Sequence, residues 1–217
     1  MITCGIVGVT GYAGLELLKL IEQHPTIRLE KVISDSSAGM TLSELYPWLQ
    51  ASPKILEPFQ ADALDGIDVL FLATPSGVSA DYIRQLASFP GVVIDLSGDL
   101  RLPSGLYETW YGKPPVTETI QREAVYGLTE WNRELLTKAK WISNPGCYAT
   151  AVSLALLPFV QHDWIDPAHI IVSACSGITG AGKGLSEKTH HAKSNENVQL
   201  YKIHAHQHIP EIEQTLF

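Results

Sequence analysis

Ile2-Thr3-Cys4-Gly5-Ile6-Val7-Gly8-Val9-Thr10-Gly11-Tyr12-Ala13-Gly14-Leu15-Glu16-Leu17-Leu18 lies at the start of the chain, and its pattern decides the fold. Thr3 to Val9 is a short apolar run bounded by glycines, which reads as a strand buried on both faces. From Gly14 to His24, Leu15, Leu18 and Ile21 recur at helical spacing, and Pro25 closes the helix. Gly8, Gly11 and Gly14 line the turn between them. Such a turn leaves backbone N–H groups pointing outward at the positive end of a helix, where a pyrophosphate is readily held. Gly8, Thr10, Gly11, Tyr12, Ala13 and Gly14 are therefore the candidate cofactor cradle. The G-x-x-G-x-x-G spacing differs from the common G-x-G-x-x-G, so a glycine-lined turn without a ligand is the rival reading of this motif alone.

Working outward, the same alternation repeats. Arg28 to Ser34 reads as a second strand, and Val69 to Ala73 as a third that runs into Thr74-Pro75-Ser76-Gly77 and a helix over Val78 to Ala87. Val92 to Leu96 and Trp141 to Ser143 are further strands. Short apolar strands alternating with amphipathic helices predict an α/β fold, a Rossmann-type parallel sheet covered on both faces. Between Asp99 and Leu135 prolines break the pattern, and loops with short helices are expected. After Asn144-Pro145-Gly146-Cys147 come an apolar helix from Ala149 to Val160, a strand from His169 to Ala174, and a glycine-rich loop from Gly177 to Gly184. A polar, histidine-rich stretch leads to a helix near Pro210, whose Ile212 and Leu216 have no obvious partner. Residues 1–146 are expected to form a nucleotide-binding domain, and residues 147–217 the N-terminal part of an α+β catalytic domain. Asp35 follows Gly14 at the distance where an acid usually holds the NAD ribose, yet Ser34, Ser36 and Ser37 around it suit a 2′-phosphate. The residues leave NAD and NADP both open.

With a formal net charge of −8 and a pI near 5.4, the chain carries no electrostatic footprint for nucleic acid or an anionic membrane. No apolar run approaches the roughly 18–20 residues of a membrane span. Cys4, Cys147 and Cys175 form neither a disulfide framework nor a zinc pattern, which fits a reducing cytoplasm. Cys4 and Cys175 sit in or beside apolar strands and read as buried. Cys147 differs, because it stands in a polar Pro-Gly turn at a helix start. A helix start favours negative charge, and thiolate is the reactive form of cysteine. A nucleophile of this kind needs a base, and His204, His206 and His208 offer one. No carboxylate or cysteine pattern completes a metal set around them, so no metal is expected. Ser176-Gly177-Ile178-Thr179-Gly180-Ala181-Gly182-Lys183 can let backbone approach a nicotinamide or a phosphate, with Lys183 as counter-charge.

Seven motifs in order along the chain are together far more specific than any one: the Gly8–Gly14 loop, Ala73 to Gly77, Asp95-Leu96-Ser97-Gly98-Asp99-Leu100-Arg101, Tyr126 to Glu130, Asn144 to Tyr148, Ser176 to Lys183, and His206-Gln207-His208-Ile209-Pro210-Glu211. The chain thereby resembles the N-acetyl-gamma-glutamyl-phosphate reductases, relatives of the aspartate-semialdehyde dehydrogenases. The resemblance implies NADPH-dependent reduction of N-acetylglutamyl 5-phosphate to the 5-semialdehyde in arginine biosynthesis, through a thioester on Cys147. It implies His206 as the acid/base, with His208 as fallback. Ser34, Ser36, Thr74, Pro75, Gly180 and Gly182 join the expected NADP contacts. Arg101, Asn144, Ser176, Lys183, His208 and Glu211 are the expected contacts to a small-molecule acyl phosphate. A homo-oligomer, dimer or tetramer, is expected of the full-length form. Family members are longer, so the resemblance makes this chain a fragment. The same chemistry on aspartyl or aminoadipyl phosphate stays open, as does a non-catalytic nucleotide-binding module.

Overall fold

The computed structural model describes residues 1–48 and 54–217. The chain runs β1 (Ile2–Val7), α1 (Tyr12–Glu22), β2 (Ile27–Ile33), α2 (Leu42–Leu45), β3 (Val69–Leu72), α3 (Val78–Gln85), β4 (Val92–Asp95), α4 (Ser104–Tyr111), α5 (Glu118–Glu123), β5 (Val125–Tyr126), α6 (Thr129–Leu136) and β6 (Trp141–Ser143). It continues through α7 (Cys147–Gln161), α8 (His191–Ser194) and α9 (Ile209–Leu216). The six strands form one sheet in the order β2-β1-β3-β4-β6-β5, and every pairing is parallel. The expected Rossmann-type sheet is therefore present.

This order positions the site. The chain leaves β1 to place β2 on one side, then crosses to place β3 on the other, so the connections diverge at the end of β1. A crevice opens at such a switch point, outside the carboxyl ends of the strands. Because all strands are parallel, the turns after β1, β3, β4 and β6 emerge on that same edge. These are the turns that carry Gly8–Gly14, Thr74–Gly77, Ser97–Arg101 and Asn144–Gly146.

Alternation along the strands divides the core into two layers. In β3, Leu70 and Leu72 pack with Ile83 and Leu86 on one face, while Val69 and Phe71 lie against the cluster of Leu15, Leu18 and Ile21 from α1 on the other. Leu18, Leu70, Leu72 and Ile83 are fully buried. Truncating any of them to Ala should cost about 2–5 kcal/mol. A third cluster joins Leu128, Leu157 of α7 and Leu216 of α9, with Ile212 packed against it. The apolar face of α9 thus has a partner within the chain, contrary to the expectation that Ile212 and Leu216 lack one.

Two further expectations need correction. The strand foreseen at His169 to Ala174 is absent: Pro167–His169 forms a single 3₁₀ turn, and the residues after it belong to no helix or strand. Ile171 is 96% exposed. An apolar run becomes a strand only where a neighbouring ladder satisfies its N–H and C=O groups, and no ladder meets this segment among the described residues. Conversely, β5 arises in the region read as loops and short helices. It is two residues long, too short for periodicity to register, and exists because Val125 and Tyr126 pair with Ile142 and Ser143 of β6.

Candidate active site

The glycine turn after β1 is shaped by its backbone. Gly8 has φ +82°, and a Cβ there would lie 2.6 Å from the Ala73 carbonyl oxygen. A Cβ at Gly14 would lie 2.4 Å from the Gly8 oxygen, so β1, β3 and α1 close on one another only through glycine. Gly11 is the N-cap of α1 and offers no side-chain cap, which leaves the first-turn amides near exposed Tyr12 and Ala13 without one. Beside this turn sits a hydroxyl cluster: Thr10 Oγ1 lies 3.5 Å from Ser34 Oγ, which lies 3.4 Å from Ser36 Oγ. Asp35 turns elsewhere, its carboxylate accepting from the Phe59 amide at 2.7 Å and from the Tyr82 hydroxyl. Thr74 Oγ1 is 2.7 Å from Ser79 Oγ in the turn after β3, and Pro75 is exposed. Lys183 Nζ donates to the Thr10 carbonyl at 3.0 Å, so the second glycine-rich segment, with exposed Gly180 and Gly182, reaches the Gly8–Gly14 turn.

Cys147 is the first residue of α7, exposed, with Gly146 as N-cap. Cys4 is buried, and desolvation pushes its thiol up to about 11. Cys175 is exposed, not buried as expected, because the strand that would have covered it does not form. Exposure alone therefore does not single out Cys147; its helix start does.

Behind the Cys147 turn lies a buried polar hub. Glu211 of α9 is fully buried, and its Oε1 accepts from the Gly146 amide and from the Tyr126 hydroxyl, each at 2.6 Å. Arg101 Nη1 stands 3.7 Å from the other Glu211 oxygen. The same guanidinium donates through Nε to the Asn144 carbonyl and through Nη2 to the Leu96 carbonyl, both at 2.9 Å. One arginine and one glutamate thus pin the Asn144-Pro145-Gly146 turn to β4, β5 and α9. The Asn144 side chain stays within its own turn, donating to the Pro145 carbonyl at 3.2 Å.

The two histidines differ in surroundings. His208 is buried, with its ring on Gly146, where a Cβ would come within 2.2 Å of Nε2. Burial first, then the Arg101 charge, brings its pKa down to about 3, so the ring is neutral. Its Nδ1 is buried without a hydrogen-bond partner. His206 is half-buried, and its Nδ1 accepts from the His208 amide at 3.1 Å. Its Nε2 lies 3.4 Å from the Tyr201 hydroxyl, and its ring meets the edge of Tyr148, the residue after Cys147, at 5.2 Å. Desolvation, then Lys202, lowers its pKa as well. Burial, with Tyr148 and Cys147 contributing, pushes the Tyr201 phenol up to about 12. Ser176 also bears on Tyr201.

The structure therefore gathers Cys147, His206, His208, Arg101, Asn144 and Glu211 around one turn, leaves Ser176 exposed, and places Lys183 at the Gly8–Gly14 turn. The motif reading passed over Tyr126 and Tyr148 as bearers of chemistry, although both stand in quoted motifs, and Tyr201 lies in a polar stretch with no local signal. Among the described residues, no helix is long and apolar enough to cross a membrane.

Comparison with known proteins matches residues 3–139 to the family model described as the semialdehyde dehydrogenase NAD binding domain, and residues 147–217 to the semialdehyde dehydrogenase dimerisation domain. An N-acetyl-gamma-glutamyl-phosphate reductase of Exiguobacterium sibiricum is 51% identical over 213 residues, which are 97% of this chain and 62% of that protein. The same-named protein of Shouchella clausii is 46% identical over 215 residues, 98% of this chain and 62% of its own length. The chain thus spans about three fifths of the length of these curated relatives. Among solved structures, aspartate semialdehyde dehydrogenase II of Vibrio cholerae, complexed with ASA, aligns with a TM-score of 0.57 at 18% identity. That alignment covers 84% of this chain and 48% of the other, and the likeness is one of fold.

Proposed function

The chain belongs to the semialdehyde dehydrogenase family, and from that premise we propose that it carries the NADP site and nucleophile of an N-acetyl-gamma-glutamyl-phosphate reductase acting in arginine biosynthesis. The reaction is reduction of N-acetyl-L-glutamyl 5-phosphate to N-acetyl-L-glutamate 5-semialdehyde and phosphate. The observation that carries it is Cys147: an exposed thiol on the first turn of α7, its turn fixed from behind by Glu211, with a neutral histidine beside the next residue. The names of relatives at 46–51% identity favour the N-acetylglutamyl substrate over the aspartyl and aminoadipyl alternatives.

The glycine turn fits a dinucleotide, because α1 begins there with no side-chain cap, while Gly8 and Gly14 let the turn pack tightly on β3 and α1 where a Cβ would clash. Gly8, Thr10, Gly11, Tyr12, Ala13 and Gly14 would hold the pyrophosphate, Ser34 and Ser36 a 2′-phosphate, and Thr74, Pro75, Gly180 and Gly182 the nicotinamide end. Lys183, at the Thr10 carbonyl, belongs with the cofactor phosphates in this reading rather than with the substrate. NADPH supplies the hydride. The Cys147 sulfur bonds to the acyl carbon as the carbon–oxygen bond to phosphate breaks, leaving a thioester. After reduction, the carbon–sulfur bond breaks, releasing aldehyde and regenerating the thiolate. His206, neutral at pH 7, takes the thiol proton; once protonated it donates to the substrate oxygen in the tetrahedral adduct and takes that proton back as the carbon–sulfur bond breaks. The amides at the start of α7 stabilise that oxygen. Arg101, Asn144, Ser176, His208 and Glu211 shape the acyl side, Glu211 and Arg101 by holding the turn. We place the domain division at 146/147, the assembly as a homodimer or homotetramer, and the compartment as the cytoplasm.

The assay that tests this is phosphate-dependent oxidation of semialdehydes with NADP, in a chain of the relatives' full length. N-acetylglutamate semialdehyde is expected to react well ahead of aspartate semialdehyde. The reverse order would sink the substrate assignment.

A further inference from the structure

Asp35 stands just past the end of β2, where a dinucleotide fold usually presents a carboxylate to the ribose hydroxyls of NAD and repels a 2′-phosphate. Here both carboxylate oxygens are engaged: Oδ1 accepts from the Phe59 amide at 2.7 Å, and Oδ2 from the Tyr82 hydroxyl. Tyr82 belongs to α3, and its ring packs on Phe59 at 4.3 Å between centroids. Desolvation and Asp35 together push its phenol up to about 12, so it remains a donor throughout the physiological range. The hydroxyls of Thr10, Ser34 and Ser36 form their own cluster beside the glycine turn.

We propose that Tyr82 is a specificity-determining residue for the cofactor: by anchoring the Asp35 carboxylate to α3 and Phe59, it keeps that negative charge from the ribose and leaves the serine cluster to a 2′-phosphate. The inference rests on the NADP reading above. It accounts for an acid at the position associated with NAD in a chain that uses NADP. Without the Tyr82 hydroxyl, one Asp35 oxygen loses its partner, and the carboxylate is free to accept from a ribose hydroxyl.

The test is direct binding of NADPH and NADH, read by quenching of protein fluorescence, to the wild-type chain, Tyr82→Phe, Asp35→Ala and the double variant. Wild type is expected to favour NADPH. Tyr82→Phe, which keeps the ring on Phe59, is expected to cut the NADPH-over-NADH preference about tenfold, the scale of one hydrogen bond to a charged group. In the Asp35→Ala background the same change should leave the ratio unaltered, since the cycle isolates the pair. An unchanged ratio in Tyr82→Phe, or an equal drop with Asp35 already removed, overturns the proposal while the NADP reading stands. A wild-type chain with no preference for NADPH overturns both.

Discussion

Glu211 has one oxygen shared by the Gly146 amide and the Tyr126 hydroxyl, inside a site closed to water. Removing it would orphan two donors and leave Arg101 buried with its counter-charge gone. Breaking such a pair typically costs about 3–5 kcal/mol. Glu211→Ala should therefore lower thermal stability by that order and turnover with it, whereas Glu211→Gln, which still accepts from Gly146 and Tyr126 but loses the charge facing Arg101, should lose less; equal losses in denaturant melts would argue against the hub. Two other buried groups make opposing pH predictions. His208 is held down to about 3, so as pH falls from its ordinary 6.5 the unfolded chain gains a proton that the fold refuses, and stability drops. Asp95 is held up to about 6 by burial, so its contribution is full below the ordinary 3.8 and is lost as pH rises through 6. Compared with wild type over pH 7 to 5, melting temperature should fall less steeply in His208→Gln and more steeply in Asp95→Asn. Slopes identical to wild type would contradict both assignments.

At the level of elements, the glycine turn shows how local sequence becomes a site. Gly14→Ala would put a methyl 2.4 Å from the Gly8 oxygen and 2.7 Å from the Val9 Cα, backbone against which nothing flexible can give way. It should weaken NADPH binding at least tenfold and cost about 1–3 kcal/mol. Gly105→Ala in α4, with nothing within 4 Å of the new methyl, should bind NADPH normally and gain about 0.5–1 kcal/mol. Comparable binding in the two variants, by titration, would refute the account of the turn. This element was legible in the sequence because strand, turn and helix signals fall within one short stretch. So was the start of α7, marked by Pro145 and Gly146. The strand foreseen at His169 to Ala174 failed, because apolar composition marks a segment that needs covering without saying that a ladder covers it. β5 failed the other way: its two residues owe their form entirely to β6. The buried state expected of Cys175 rested on the absent strand and fell with it.

Across the whole molecule, the site is assembled by contacts that no local pattern announces. α9 lies more than sixty positions after Cys147, yet Leu216 packs on Leu157 of α7, and Glu211 reaches the Gly146 amide across 65 residues. Lys183 crosses 173 residues to the Thr10 carbonyl. The sequence reading could name Glu211 and Lys183 from motifs but not their partners, because pairing at such separation is set by packing. The central claim is that this assembly makes Cys147 a nucleophile that carries the acyl group. The direct measurement is to mix a chain of the relatives' full length with N-acetylglutamate semialdehyde and NADP, withhold phosphate, and map the modified residue by peptide mass spectrometry while NADPH is followed by absorbance. The account predicts a burst of NADPH matched by an N-acetylglutamyl thioester on Cys147, cleared when phosphate is added, and neither event in Cys147→Ser. An adduct on Cys175, or a burst that survives Cys147→Ser, would contradict it.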